Sequence, residues 1–341
     1  MTGGSLPANV KRTSALRRVP VLIGSECRPV RAGEGDVCAF ELARDALPVM
    51  VEAPSGRGMT ICPGDTFLAT PGYRESTRWV SGTIPTGGLI AGNDYWVLAD
   101  SGVVGELVGD SPLDEGYVGR VRYLGTVCRA DGETLNIRQF AVSDAPERDC
   151  RATVYLILGT SGDVGKTTAG IAVLRTLLMQ RYETVTVLKA TGTSSVEEIT
   201  RYQDFGAAHA FDCVDFGLPT TYPSGRAGIN DFFLNAIEFC LSLPAAALVV
   251  ECGGDLFGAN VPEFLACLKA RRSEFKIILA AADVLGAIGA KQVLADIGLD
   301  VSLITGPCTD TPTMRERTMR LCGVTAVNLV RRSDPGTATL G

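Results

Sequence analysis

The stretch "ATVYLILGTSGDVGKTTAGIAVLRTLLMQRY", residues 152–182, decides how the chain is read. Its first eight residues are almost wholly apolar and β-rich, the composition of a strand buried on both faces. Glycines follow at 159, 162 and 165, then Lys166, Thr167 and Thr168, and then a run with helical spacing. Strand, glycine loop and helix in that order form a phosphate cradle. Backbone N–H groups converge on phosphate oxygens, and the helix N-terminus adds partial positive charge. Lys166 is expected to reach the β- and γ-phosphates and the Thr167 hydroxyl to meet magnesium. The usual pattern G-x-x-x-x-G-K-[ST] is offset here, because Thr160 holds the first glycine position and Gly159 stands one place earlier.

Outward from that loop, residues 151–332 alternate strands and helices. Strands are expected at 184–192, 245–254, 275–283, 300–306 and 324–330, and helices at 229–243 and 261–273. Continuous apolar strands separated by helices imply a parallel sheet covered on both faces. The fold class is therefore α/β: a doubly wound, mostly parallel P-loop domain preceded by a smaller β-rich domain. Residues 1–20 read as a flexible tail. Residues 21–145 carry short alternating runs between glycine and proline signals, as a small barrel or sandwich does. "AFELARDAL" (39–47) is the one helix-like stretch there. The polar, proline-bearing "SDAPERDCR" (143–151) marks the boundary.

Composition narrows the function. The chain is 341 residues long, 46% hydrophobic and 21% charged, with a formal charge of −6. No basic block offers a nucleic-acid footprint, and no uninterrupted apolar stretch reaches membrane-spanning length. Eleven cysteines without a C-x-x-C pair, and a single histidine, give no zinc spacing. Reduced, mostly buried thiols in a cytoplasmic protein are the expectation, with a homodimer left open.

"GTSGDVGKTT" resembles the G-T-x-T-x-V-G-K-T loop of dethiobiotin synthetase and its P-loop relatives. Ser161 stands where partner-activated, dimer-forming ATPases of that branch carry a second lysine. "VTVLKATGT" and "LVVECGGDLFG" are similar to later pieces of the same family, with Cys252 and Asp255 as departures. The resemblance implies that Lys189 touches substrate and that Glu251 helps hold magnesium. "KATGT", "FDCVDFGLPTTYP" and "VECGG" also resemble, more distantly, the P-loop family of D-glutamate N-acetyltransferase. These matches span about 151–330.

Strand C-termini are where such sheets bind ligands. Lys166, Lys189 and Glu251 are accordingly the candidate catalytic residues. The loop Gly159, Thr160, Ser161, Gly162, Asp163, Val164, Gly165, Lys166, Thr167 and Thr168 is the candidate nucleotide site. Thr167, Glu251 and Asp215 are candidate magnesium holders, and Thr191, Thr193 and Asp212 candidate substrate contacts. His209 reads as a satisfied histidine rather than a base. Arg74 and Arg78 read as a charged strand face, with a carboxylate or phosphate clamp as the alternative. The expectation is an ATP- and magnesium-dependent ligase or kinase acting on a small carboxylated or amino metabolite. An acyl-CoA-dependent N-acyltransferase and a nucleotide-binding regulatory module are the alternatives.

Overall fold

A strand buried on both faces must be flanked on both edges, and the apolar run after Ala152 meets that condition. In the computed structural model it is strand β1 (Thr153–Gly159), paired in parallel with a neighbour on each side. The residues described are 4–5, 10–20, 26–76, 80–109, 119–129, 131–142, 152–180, 182 and 184–329. The boundary segment expected at 143–151 lies outside them.

The sheet continues through β2 (Val185–Thr191), β3 (His209–Phe211), β4 (Ala247–Cys252), β5 (Lys276–Ala280) and β6 (Val301–Thr305). All its pairings are parallel, in the order β3-β2-β4-β1-β5-β6. Every residue of β2 and β4 is buried. Helices α1 (Lys166–Met179), α2 (Val196–Asp204), α3 (Ile229–Ser242), α4 (Val261–Arg271), α5 (Val284–Asp296) and α6 (Pro312–Cys322) connect and follow the strands. Parallel strands require crossovers, and right-handed crossovers put connections running in opposite directions on opposite faces. α1 therefore covers one face, while α3 and α4 cover the other. The fold is α/β with a parallel sheet, as the sequence implies. The strand expected at 324–330 is not one. Among its described residues only Ala326 bridges Ile304.

The β-rich unit is built on five longer strands. Strand 120–128 pairs antiparallel with 38–42, which pairs antiparallel with 66–71. Strand 66–71 runs parallel to 103–109, and 94–99 pairs antiparallel with both 103–109 and 120–128. The pairings return to their start, so the five strands close into a barrel, which removes its open edges. Phe40, Phe67 and Tyr123 fill its core beside Leu42, Val97 and Val121.

Two expectations for this half need correction. "AFELARDAL" is not helical: Cys38–Leu42 is a strand with partners on both sides, and tertiary pairing overrides a local helical pattern there. Residues 10–20 are not a loose tail either. Ser14–Leu16 form a buried single turn, the Thr13 N–H donates to the Leu68 carbonyl, and Leu16 and Val19 join a second apolar cluster with Val127 and Leu135.

Contacts divide the chain into two compact units, Met1–Ser143 with Thr193–Glu197 and Asp212–Ser224, and the remainder. Two short pieces of the α/β half of the sequence thus belong to the β unit. There the Glu52 carboxylate accepts from the N–H groups of Val196 (3.0 Å) and Glu197 (2.8 Å), and from the hydroxyls of Ser14 (2.5 Å) and Ser195 (3.2 Å). Among the described residues no helix is long and apolar enough to cross a membrane.

Candidate functional site

The loop between β1 and α1 turns on two left-handed residues, Asp163 (φ 58°) and Gly165 (φ 87°). Glycine takes such a φ without strain, and aspartate tolerates it better than most side chains. Gly165 caps α1 without a side-chain hydrogen bond, and no acidic residue lies in the first turn. The first-turn N–H groups and their partial positive charge are therefore left for an anion. Val164 is buried, whereas Asp163 is exposed.

The offset first glycine has a steric cause. A Cβ on Gly159 would lie 2.7 Å from Lys166 Cδ and 2.9 Å from its Cγ. The lysine stem lies across the strand end, and only glycine leaves room for it. Thr160, at the vacated glycine position, accepts from the Ala282 N–H through its hydroxyl (3.2 Å). Its own N–H donates to the Ala280 carbonyl (3.0 Å), which ties the loop to the end of β5.

Lys166 is buried rather than solvent-facing. Its Nζ donates to the carbonyls of Ser161 (2.7 Å) and Gly254 (2.9 Å). Burial lowers its pKa, Glu251 opposes that, and neighbouring Lys189 adds to it. Thr167 Oγ1 donates to Glu251 Oε1 at 2.8 Å. Tyr202 Oη donates to Glu251 Oε2 at 2.6 Å, and burial together with Glu251 pushes the phenol pKa well up. Glu251, next to last in β4, has 2% of its surface exposed, so both its oxygens need partners, and both have one.

The other predicted residues divide. Lys189, at the end of β2, is buried and ion-paired with Glu198. The Thr191 hydroxyl donates to the Gly253 carbonyl (3.0 Å), and burial pushes the adjoining Cys252 thiol up to about 12. Thr193 bridges Thr220 within the β unit. Asp212 and Asp215 belong to that unit too. Arg17 Nη2 contacts Asp212 Oδ1 and Asp215 Oδ2, each at 2.6 Å, and Arg18 pairs with Asp215 (3.4 Å). Burial opposes the Arg17 charge, but the two carboxylates outweigh it and hold its pKa above the ordinary value. The pair reads from sequence as ligands because the arginines that neutralise it lie almost two hundred residues away. His209 is exposed and stacks on Phe211. Arg74 donates to the Leu98 carbonyl, and Arg78 lies outside the described residues.

Sequence reasoning missed Tyr202 and Glu198, both on a helix it did not mark. Gly170, inside α1, was the available signal, since a helix-interior glycine points to a close approach. A Cβ there would lie 2.0 Å from Tyr202 Oη.

Among the described residues no group of three or more His, Cys, Asp or Glu side chains could hold a metal ion. A magnesium–phosphate site does not need one, because magnesium keeps several waters and takes one or two protein ligands plus phosphate oxygens. The Thr167 hydroxyl gives its proton to Glu251 and so turns lone pairs outward, which fits that role.

Strand, glycine loop, buried lysine, threonine and the carboxylate on the adjoining strand define a phosphate-binding-loop α/β protein. No protein-family model matches the chain, and no curated protein matches it. Among solved structures it is similar to chloroplast FtsY from Physcomitrella patens (12% identity, TM-score 0.38, 56% of this chain and 62% of that one). It is also similar to the signal recognition particle 54 kDa protein from Aeropyrum pernix K1 in complex with GDP (14%, 0.38, 56% and 43%). A third is FlhF complexed with GTP and magnesium (16%, 0.37, 55% and 68%). The chain spans under two thirds of the length of the first two.

Proposed function

We propose that the chain is an ATP- and magnesium-dependent enzyme of the ligase or kinase type that activates a small carboxylated or amino metabolite. One observation carries the reading: Thr167, one residue past the loop lysine, donates to Glu251 at the end of the adjoining strand. In phosphoryl transfer the protein contributes positioning and charge neutralisation. The loop from Gly159 to Thr168 would hold the phosphates, and Lys166 would leave the Ser161 and Gly254 carbonyls for the β- and γ-oxygens. Thr167 and Glu251 would hold magnesium, which neutralises charge developing on the transferred group. Lys189, paired with Glu198, is the cation proposed for the metabolite's carboxylate.

A thermal-shift series with ATP, GTP, ADP and acetyl-CoA, each with and without magnesium, tests the reading, because a bound ligand raises apparent stability by mass action. The expected result is a shift with ATP that grows with magnesium, and ADP or AMP release once an acceptor is supplied. A shift with GTP alone would change the base. Magnesium-independent thiol release from acetyl-CoA in the presence of amino acids would replace ATP activation with acyl transfer.

A further inference from the structure

Glu251 is held at both oxygens, and only one hold comes from the loop. Thr167 takes Oε1, and Tyr202, on the helix after β2, takes Oε2. Tyr202 is fully buried. Its hydroxyl fits against Gly170, one turn beyond Thr167 on α1, in a space that any larger residue would close. Glycine inside a helix costs about 1 kcal/mol relative to alanine. Here it admits the hydroxyl that reaches the carboxylate.

We propose that Tyr202 is a positioning residue for Glu251: by fixing Oε2 it presents Oε1 and the Thr167 hydroxyl to a magnesium-bound triphosphate. The inference rests on the phosphate-loop reading. A carboxylate with a free choice of two oxygens would divide its time between Thr167, Lys166 and the cation. Tyr202 removes that choice, as groups behind metal ligands commonly do. The role is specific to the metal, since Tyr202 has no hydrogen bond to the loop that would hold the phosphates.

The test uses the full chain, a non-hydrolysable ATP analogue as probe, and Mn2+ as a spectroscopic stand-in for magnesium. Tyr202→Phe should bind the metal-free analogue within about twofold of wild type, while Mn2+ affinity in the complex, read by electron paramagnetic resonance, falls about tenfold. In the Glu251→Gln background the same change should cost nothing further, because the partner it orients is altered. Gly170→Ala, whose methyl displaces the hydroxyl and keeps the ring, should reproduce the loss; it serves where Tyr202→Phe melts too low to titrate. Unchanged Mn2+ affinity in the folded variant, or additive losses in the double variant, overturns the inference and leaves the phosphate-loop reading standing. A wild-type chain that binds no triphosphate with or without metal overturns both.

Discussion

Lys166 bridges two backbone carbonyls in the loop and the strand-end turn, and burial keeps its pKa below the ordinary lysine value. A buried ammonium hydrogen-bonded to neutral carbonyls is poised to exchange them for phosphate oxygens, which bear full charge. Lys166→Ala is expected to lower nucleotide-dependent turnover about a hundredfold or more, the scale set by removing one preorganised transition-state donor. The far-ultraviolet circular dichroism and melting temperature should stay near wild type, because the change also removes a buried charge. Turnover within a few-fold of wild type would contradict the role given to the lysine. The loop residues themselves were legible, since glycine spacing, lysine and threonine are local features. Tyr202 was not, because nothing within the helix that carries it announces a carboxylate 49 residues further on.

At the scale of elements, the start of α2 takes an acceptor from a residue far away in sequence. Its first N–H groups, on Val196 and Glu197, donate within the β unit to Glu52, which also takes the Ser14 and Ser195 hydroxyls. A carboxylate at a helix N-terminus satisfies orphan donors and complements the helix dipole. Glu52→Ala removes the acceptor these four donors share, and a loss of about 3 kcal/mol is expected in urea unfolding. Glu52→Gln, which keeps an acceptor oxygen, should lose less. Equal midpoints for the alanine variant and wild type would show that water replaces the carboxylate fully. The strand at Cys38–Leu42 belongs to the same scale. Its own residues suggest a helix, and the neighbours that make it a strand, 66–71 and 120–128, are brought beside it only by barrel closure.

Across the whole molecule the ten described cysteines are free thiols, and most are buried. Burial pushes Cys308 up to about 11 and Cys38 well above its ordinary value. In the unfolded chain a thiol titrates near 8.5. Below that pH both states keep the proton and the thiols add no pH dependence. Above it the unfolded chain releases protons that the folded chain retains, so stability falls as pH rises towards 11. The melting temperature is expected to drop between about pH 8 and pH 10.5, and Cys308→Ala should flatten that slope. A slope unchanged in the variant would remove Cys308 from the account.

What the amino-acid sequence determined by itself was contiguous. The apolar runs that became β1, β2, β4, β5 and β6, the glycine loop, the start of α1 and the placing of Glu251 at a strand end are each written in a few neighbouring residues. Hydrophobic periodicity and turn chemistry act over that distance. Tertiary structure alone decided which polar groups meet. Asp212 and Asp215 read from sequence as metal or substrate ligands, and in space both pair with Arg17, 195 residues from Asp212. A buried charge is stable only with a partner, and a partner is a matter of space rather than of sequence distance. The same physics pairs Glu251 with Tyr202 and Glu52 with the start of α2. The chain's local pattern is enough to form a phosphate cradle, and long-range burial decides which carboxylate stands ready beside it.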